Sequence, residues 1–135
     1  MTEQENLQVV QSVYAAFARG DIPAVVNALT DDVEWFLPGP TEIIPFAGFR
    51  RGREQVLQFF AVLDATLEFE QFEPREFIAQ SDKVVVLGRS RDRMKSTNRV
   101  IENEWAAVFA LRDGKIAGYR VYEDTAAFVA ALNAS

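Results

Sequence analysis

Histidine and cysteine are both absent from this sequence. Their absence excludes disulfides, thiol nucleophiles and the imidazole that most often moves protons near neutral pH. It also removes the usual ligands of a zinc site. No run of acids has the spacing of a calcium loop, so neither a metal nor a cofactor is expected. Positive charge is scarce as well: 14 Lys and Arg against 20 Asp and Glu leave a net charge of −6. Phosphate binding needs clustered Lys and Arg, so nucleic acid is not an expected partner. The single basic cluster, Arg89 to Arg99, is interrupted by Asp92 and reads as a solvated hairpin end. No stretch approaches the ~18 apolar residues of a membrane helix. The opening MTEQENLQVV has no basic region leading into an apolar run, so a cytoplasmic protein with no membrane partner is the expectation.

What is present points to a single domain over residues 1–135, with eleven phenylalanines to fill a bulky core or line a cavity. Leu7, Val10, Val13, Tyr14 and Phe17 recur at helical spacing, predicting a helix from about Glu3 to Arg19 that Gly20 ends. Asp21 caps a short second helix, Pro23 to Leu29, and Thr30-Asp31-Asp32 is expected to break it. VEWFLP reads as a strand in which Trp35 and Leu37 share one face and Glu34 and Phe36 the other. A loop follows to Arg51. A helix then begins at Gly52, carrying Val56, Phe59, Phe60 and Leu63 inward. Strands are expected at 67–72, 75–79, 83–91, 99–111 and 115–122, with TAAFVAALNA as a closing helix. Helices first and a long antiparallel sheet after is an α+β pattern.

The order of these elements resembles the nuclear transport factor 2-like fold. GDIPAVVNALTDDVEWFLPGP and RGREQVLQFF resemble parts of its ketosteroid isomerase branch. EWAAVFALRDGKIAGYRVYEDTAAFVAAL is similar to the end of the SnoaL-like polyketide cyclase branch. The resemblance implies a cone: a strongly bent, mostly antiparallel sheet closed by helices around a cavity suited to a small apolar molecule. It also implies a homodimer through the convex sheet face. It does not imply steroid isomerisation, because the position of that branch's catalytic base falls on Leu37, before Pro38. The late-strand acid of its oxyanion hole falls near Ala106 or Ala107, and its tyrosine near Val13 or Tyr14. The histidine common in SnoaL-like relatives is Phe36 here. Arg91 and Asp92 are adjacent, so the spaced arginine–aspartate pair of the epoxide hydrolase branch is not carried over.

Asp113-Gly114 is a strong hairpin signal. With these as the central turn residues, Arg112 pairs Lys115, Phe109 pairs Gly118, Ala107 pairs Arg120, Trp105 pairs Tyr122 and Asn103 pairs Asp124. A three-residue bulged turn would shift that register by one. The first face, with Asn103, Trp105, Arg120, Tyr122 and Asp124, is assigned to the cavity. The opposite face sets Glu104 against Glu123, unfavourable if buried, and carries Val108, Tyr119 and Val121 to the dimer interface. By resemblance to the cyclase and epoxide hydrolase branches, Asp124 is the expected acid or base; by its position before Thr125 it is equally a helix cap. Arg120 either tunes that acid or neutralises a neighbouring carboxylate, and Tyr122 or Tyr14 would donate to a developing oxyanion. Tyr14, Phe17, Trp35, Leu37, Phe59, Asn103 and Trp105 are the expected ligand contacts. Two acids, Glu42 and Glu104, have no assigned place. The functional expectation is a cofactor-independent enzyme of cyclase, isomerase or hydrolase type; the alternative is a non-catalytic ligand-binding or dimerising domain.

Overall fold

The computed structural model describes residues 1–133. Helix α1 (Glu3–Ala18) starts from a reciprocal cap in which Thr2 and Glu5 each accept the other's backbone N–H. Its Val10, Val13 and Ala16 are buried against the sheet. Helix α2 (Ile22–Asn27) is capped by Asp21, which accepts from the Ala24 N–H at 3.1 Å. Helix α2 has ended before Thr30-Asp31-Asp32, as expected, but strand β1 runs from Leu29 to Leu37, so these residues already belong to the strand that was expected from Val33. Parallel pairing of Leu29 with Ile116 holds this segment extended. Its exposed acids find cations, Asp31 with Arg53 at 3.2 Å and Asp32 with Arg112 at 2.6 Å.

A short strand β2 (Gly48–Arg51), expected as loop, pairs with β1 before α3 (Arg53–Thr66). Strand β3 (Leu67–Gln80) is continuous where a break was expected, with irregularities near Phe69/Gln71 and Pro74/Glu76 absorbing the proline. Strands β4 (Lys83–Met94), β5 (Val100–Arg112) and β6 (Lys115–Tyr122) complete a six-stranded mixed sheet of order β2-β1-β6-β5-β4-β3. Helix α4 (Thr125–Leu132) closes the described chain; Ala134 of the expected final helix and the last residue of the expected domain lie outside the described residues. No helix among the described residues is long and apolar enough to cross a membrane.

The hairpin turn forms as expected: Asp113 and Gly114 both have positive φ and Arg112 pairs Lys115. The register then slips. Leu111 pairs Ile116 but Ala110 pairs Gly118, leaving Ala117 as an extra residue. Such a bulge bends and twists a strand. Because side chains alternate, the slip turns every following β6 residue to the other face. Val108 pairs Arg120 and Ala106 pairs Tyr122, facing outward; Tyr119, Val121 and Glu123 turn inward. The expected pairing of Trp105 with Tyr122 and of Ala107 with Arg120 is therefore corrected. So is the placement of Tyr119, Val121 and Glu123 on the convex face, while Val108 does lie on that face.

The concave face carries the core. Val84, Val86, Trp105, Ala107 and Phe109 belong to it, with Tyr14 of α1 packed against Trp105 and Phe109. Gly88 is required on β4: a Cβ there would lie 2.3 Å from Cζ2 of Trp105. The indole lies flat across the backbone that the missing side chain leaves open.

Candidate functional site

Between the helices and the concave sheet lies a cavity of about 80 Å³. One wall is a stack of rings: Trp105 lies parallel to Phe72 (5.3 Å, 16°) and to Tyr14 (5.9 Å, 26°). The other is Trp35 stacked on Tyr119, with centroids 4.0 Å apart. The pocket is apolar, yet polar atoms border it. The Tyr14 hydroxyl, both indole N–H groups and the Ser90 hydroxyl are buried and find no hydrogen-bond partner among the described residues. Buried polar atoms are nearly always paired, since each orphan costs about 1–3 kcal/mol. Tyr14, Trp35 and Trp105 thus bring three unpaired donors to the cavity wall, while the Ser90 hydroxyl stands beside the Asp92 carboxyl and stabilises its charge. Burial raises the Tyr14 pKa well above the ordinary phenol, with Tyr119 nearby reinforcing it, so the hydroxyl keeps its proton. Burial chiefly, and Glu123 after it, raise Tyr119 likewise.

One acid, Glu123, lines this space, and a second, Asp92, is buried near it. Alternation along β4 sends Val84, Val86, Gly88, Ser90, Asp92 and Met94 to the concave side. Asp92 is fully buried, and neither of its oxygens meets hydrogen-bond geometry. Opposite Ser90 on β5 is the buried Asn103. Its Nδ2 donates to Glu123 Oε1 at 3.1 Å, and its Oδ1 accepts from the Asp124 N–H at 3.4 Å. Asn103 is thus fixed by backbone on one side and presents its amide to a carboxyl on the other. Burial pushes Asp92 up to about 6, opposed by the neighbouring Ser90 and Asn103 side chains and aided by the charge of Glu102. Glu123, which lines the cavity, is pushed up to about 7 by burial, opposed by Asn103 and aided by Asp92. Two carboxyls in one weakly solvated region cannot both ionise cheaply, so the pair retains a proton near neutrality.

Of the expected ligand contacts, Tyr14, Phe17, Trp35, Leu37, Phe59 and Trp105 line the cavity. Asn103 lies on the same sheet face, in the wall behind Glu123. The expected catalytic trio does not assemble there. Tyr122 is 48% exposed on the convex side. Arg120 is also outward, stacked over Phe36 at 4.9 Å and donating to the Tyr122 hydroxyl at 3.2 Å. Both are displaced by the Ala117 bulge. Asp124 is exposed and caps α4, accepting from the Ala127 N–H at 3.0 Å. Glu42 and Glu104 are exposed too. The groups that sequence reasoning passed over are Asp92, Ser90 and Glu123. The polar pair was legible in β4, where Ser90 and Asp92 interrupt an otherwise apolar alternating face.

Helices packed over a bent six-stranded sheet with a ring-lined concave pocket define a nuclear transport factor 2-like protein. Residues 10–119 match the SnoaL-like domain, and the chain belongs to that family. A nuclear transport factor 2-like protein from Burkholderia xenovorans superposes with a TM-score of 0.89 at 36% identity, covering 98% of this chain and 99% of that one. TerC, co-crystallised with polyporic acid, superposes with a TM-score of 0.85 at 27% identity over 96% of this chain and 99% of its own. An uncharacterised protein of Mycobacterium tuberculosis is 27% identical over 116 residues, 86% of each chain.

Proposed function

We propose that the protein is a cofactor-independent acid–base enzyme acting on a small, neutral, carbonyl-bearing molecule, with Glu123 as the proton carrier. The observation that carries this reading is the position of Glu123: on the cavity wall, bonded to Asn103, with a pKa of about 7. A catalytic acid or base works best with a pKa near the operating pH. The orphan donors Tyr14, Trp35 and Trp105 would receive a ligand oxygen, and strengthen their bonds as charge develops on it. Asp92 acts behind Glu123, disfavouring its ionisation through space. A pocket with one carboxyl, Glu123, and no cation in its lining selects against anions. Proton transfer next to a carbonyl would serve ring closure, isomerisation or hydration alike. Steroid isomerisation is not proposed, because Leu37 lines the cavity where that branch keeps its base. TerC with polyporic acid supports a small-molecule occupant for a pocket of this fold.

Two further elements complete the proposal. The convex face carries a row straight across the sheet, Phe49, Phe36, Arg120, Val108, Val85 and Ile78, and we assign it to a homodimer. A cytoplasmic setting rests on composition alone.

The test is exchange of α-hydrogens of 2-butanone in deuterated buffer, followed by proton NMR. Wild type should exceed the buffer rate, and Glu123→Gln should lose the excess by on the order of 10²-fold. Equal rates in the two proteins would refute Glu123 as the proton carrier.

A further inference from the structure

The inner cavity is too small for most ligands. Its volume of about 80 Å³ falls below the roughly 300–1,000 Å³ of ordinary small-molecule sites. It accommodates an oxygen and its nearest carbons, and anything larger must continue elsewhere. A groove of about 840 Å³ lies outside it, between α1, α3 and β3. Six residues face both spaces: Phe17, Phe60, Leu63, Leu67, Phe69 and Phe72. The partition between them is therefore one layer of side chains, mostly rings. Phe17 meets Phe72 at 5.2 Å and Phe69 at 5.8 Å edge to face, while Phe60 is tilted on Phe17 at 5.9 Å and Phe69 on Phe72 at 5.0 Å. A molecule that joins the two spaces has to pass between these side chains, not through backbone.

The groove's outer floor is apolar as well. Leu57 on α3 is 49% exposed there, beside Ala61 and Ile22. Its rim bears Asp64 and Glu68 against Lys95, whose ammonium donates to the Asp64 carbonyl. The rim therefore favours an uncharged occupant over an anionic one.

We propose that the groove holds the apolar tail of an elongated neutral ketone or aldehyde whose oxygen-bearing head occupies the inner cavity. The tail passes the ring layer between Phe17 and Phe69. This rests on the reading of the inner cavity as the reactive site, and it adds the substrate's shape: a compact head on a chain several carbons long.

The probe is a series of methyl ketones from 2-butanone to 2-decanone, titrated against tryptophan emission, since Trp35 and Trp105 border the head. Each methylene that reaches the groove should tighten Kd about fourfold. The double variant Leu57→Glu, Ala61→Glu changes two exposed positions and should fold normally by circular dichroism. It should bind 2-butanone like wild type but lose most of the gain with chain length. A gain that persists in this variant places the tail elsewhere and overturns the proposal. So does binding of 2-butanone with no gain along the series, which leaves the head site standing. If no ketone binds, the inner-cavity reading falls, and the tail site with it.

Discussion

Asp92→Asn removes a charge from a fully buried position while keeping its shape. The wild-type carboxyl has an ordinary value of 3.8 and is pushed up to about 6 in the fold, chiefly by burial. In the unfolded chain it loses its proton near its ordinary value. Between about pH 4 and pH 6 the folded state therefore binds more protons than the unfolded state, and stability falls as pH rises through this window. Below it the carboxyl is neutral in both states, and above it the full penalty is present. At about 1.36 kcal/mol per pKa unit, that penalty is about 3 kcal/mol. Asparagine cannot titrate, so the variant escapes it. Any gain or loss from the amide's own hydrogen bonds is common to all pH values and cancels in the comparison. Urea unfolding of both proteins at pH 4 and pH 8, at one ionic strength, reads the effect. The stability of the variant relative to wild type should rise by about 2–3 kcal/mol from the acid to the alkaline measurement. A relative stability that stays constant between the two would refute the claim that burial raises the pKa of Asp92 in the folded protein.

Asp124→Asn should leave stability, ligand binding and turnover unchanged, whereas Asp124→Ala should cost about 0.5–2 kcal/mol in thermal or urea unfolding, because the side chain caps α4. Gly88→Ala places a methyl within 2.3 Å of Trp105; it should destabilise by about 1–3 kcal/mol and shift tryptophan emission, and an unchanged spectrum would contradict the packing. Sedimentation should find a dimer at micromolar concentration that Val108→Lys converts to monomer, since a standard interface cannot bury an unpaired charge at its centre; a monomeric wild type would refute the convex interface.

The architecture was readable because its signals are local. Gly20, Asp21 before Pro23 and the Asp113-Gly114 turn mark element ends through chemistry that acts over a few residues. The pocket aromatics followed from alternation on β1 and helical spacing on α1. The acidic end of the pocket did not. A single extra residue, Ala117, reversed the facing of Tyr119 to Glu123, and nothing in IAGYRVYE marks it beyond Gly118. The bulge answers to the bend of the whole sheet and to the parallel pairing with β1, where Glu34 meets Gly118. Both are long-range. The same slip explains why Glu123 was set against Glu104 across one face and dismissed: they lie on opposite faces, and only Glu104 is in water. Asp92 was read as part of a basic surface cluster because its neighbours Arg91 and Arg93 point outward to Glu70, Glu102 and Glu68. Its own side chain points the other way.

The most direct test of the account is a carbon-13 NMR titration of the Glu123 carboxyl, assigned by its loss in Glu123→Gln. The account predicts a midpoint near 7 in wild type, moving down when Asp92→Asn removes the neighbouring charge. A midpoint at the ordinary value of 4.5, unmoved by Asp92→Asn, would mean that Glu123 is a solvated surface acid and that the pocket holds no proton carrier there.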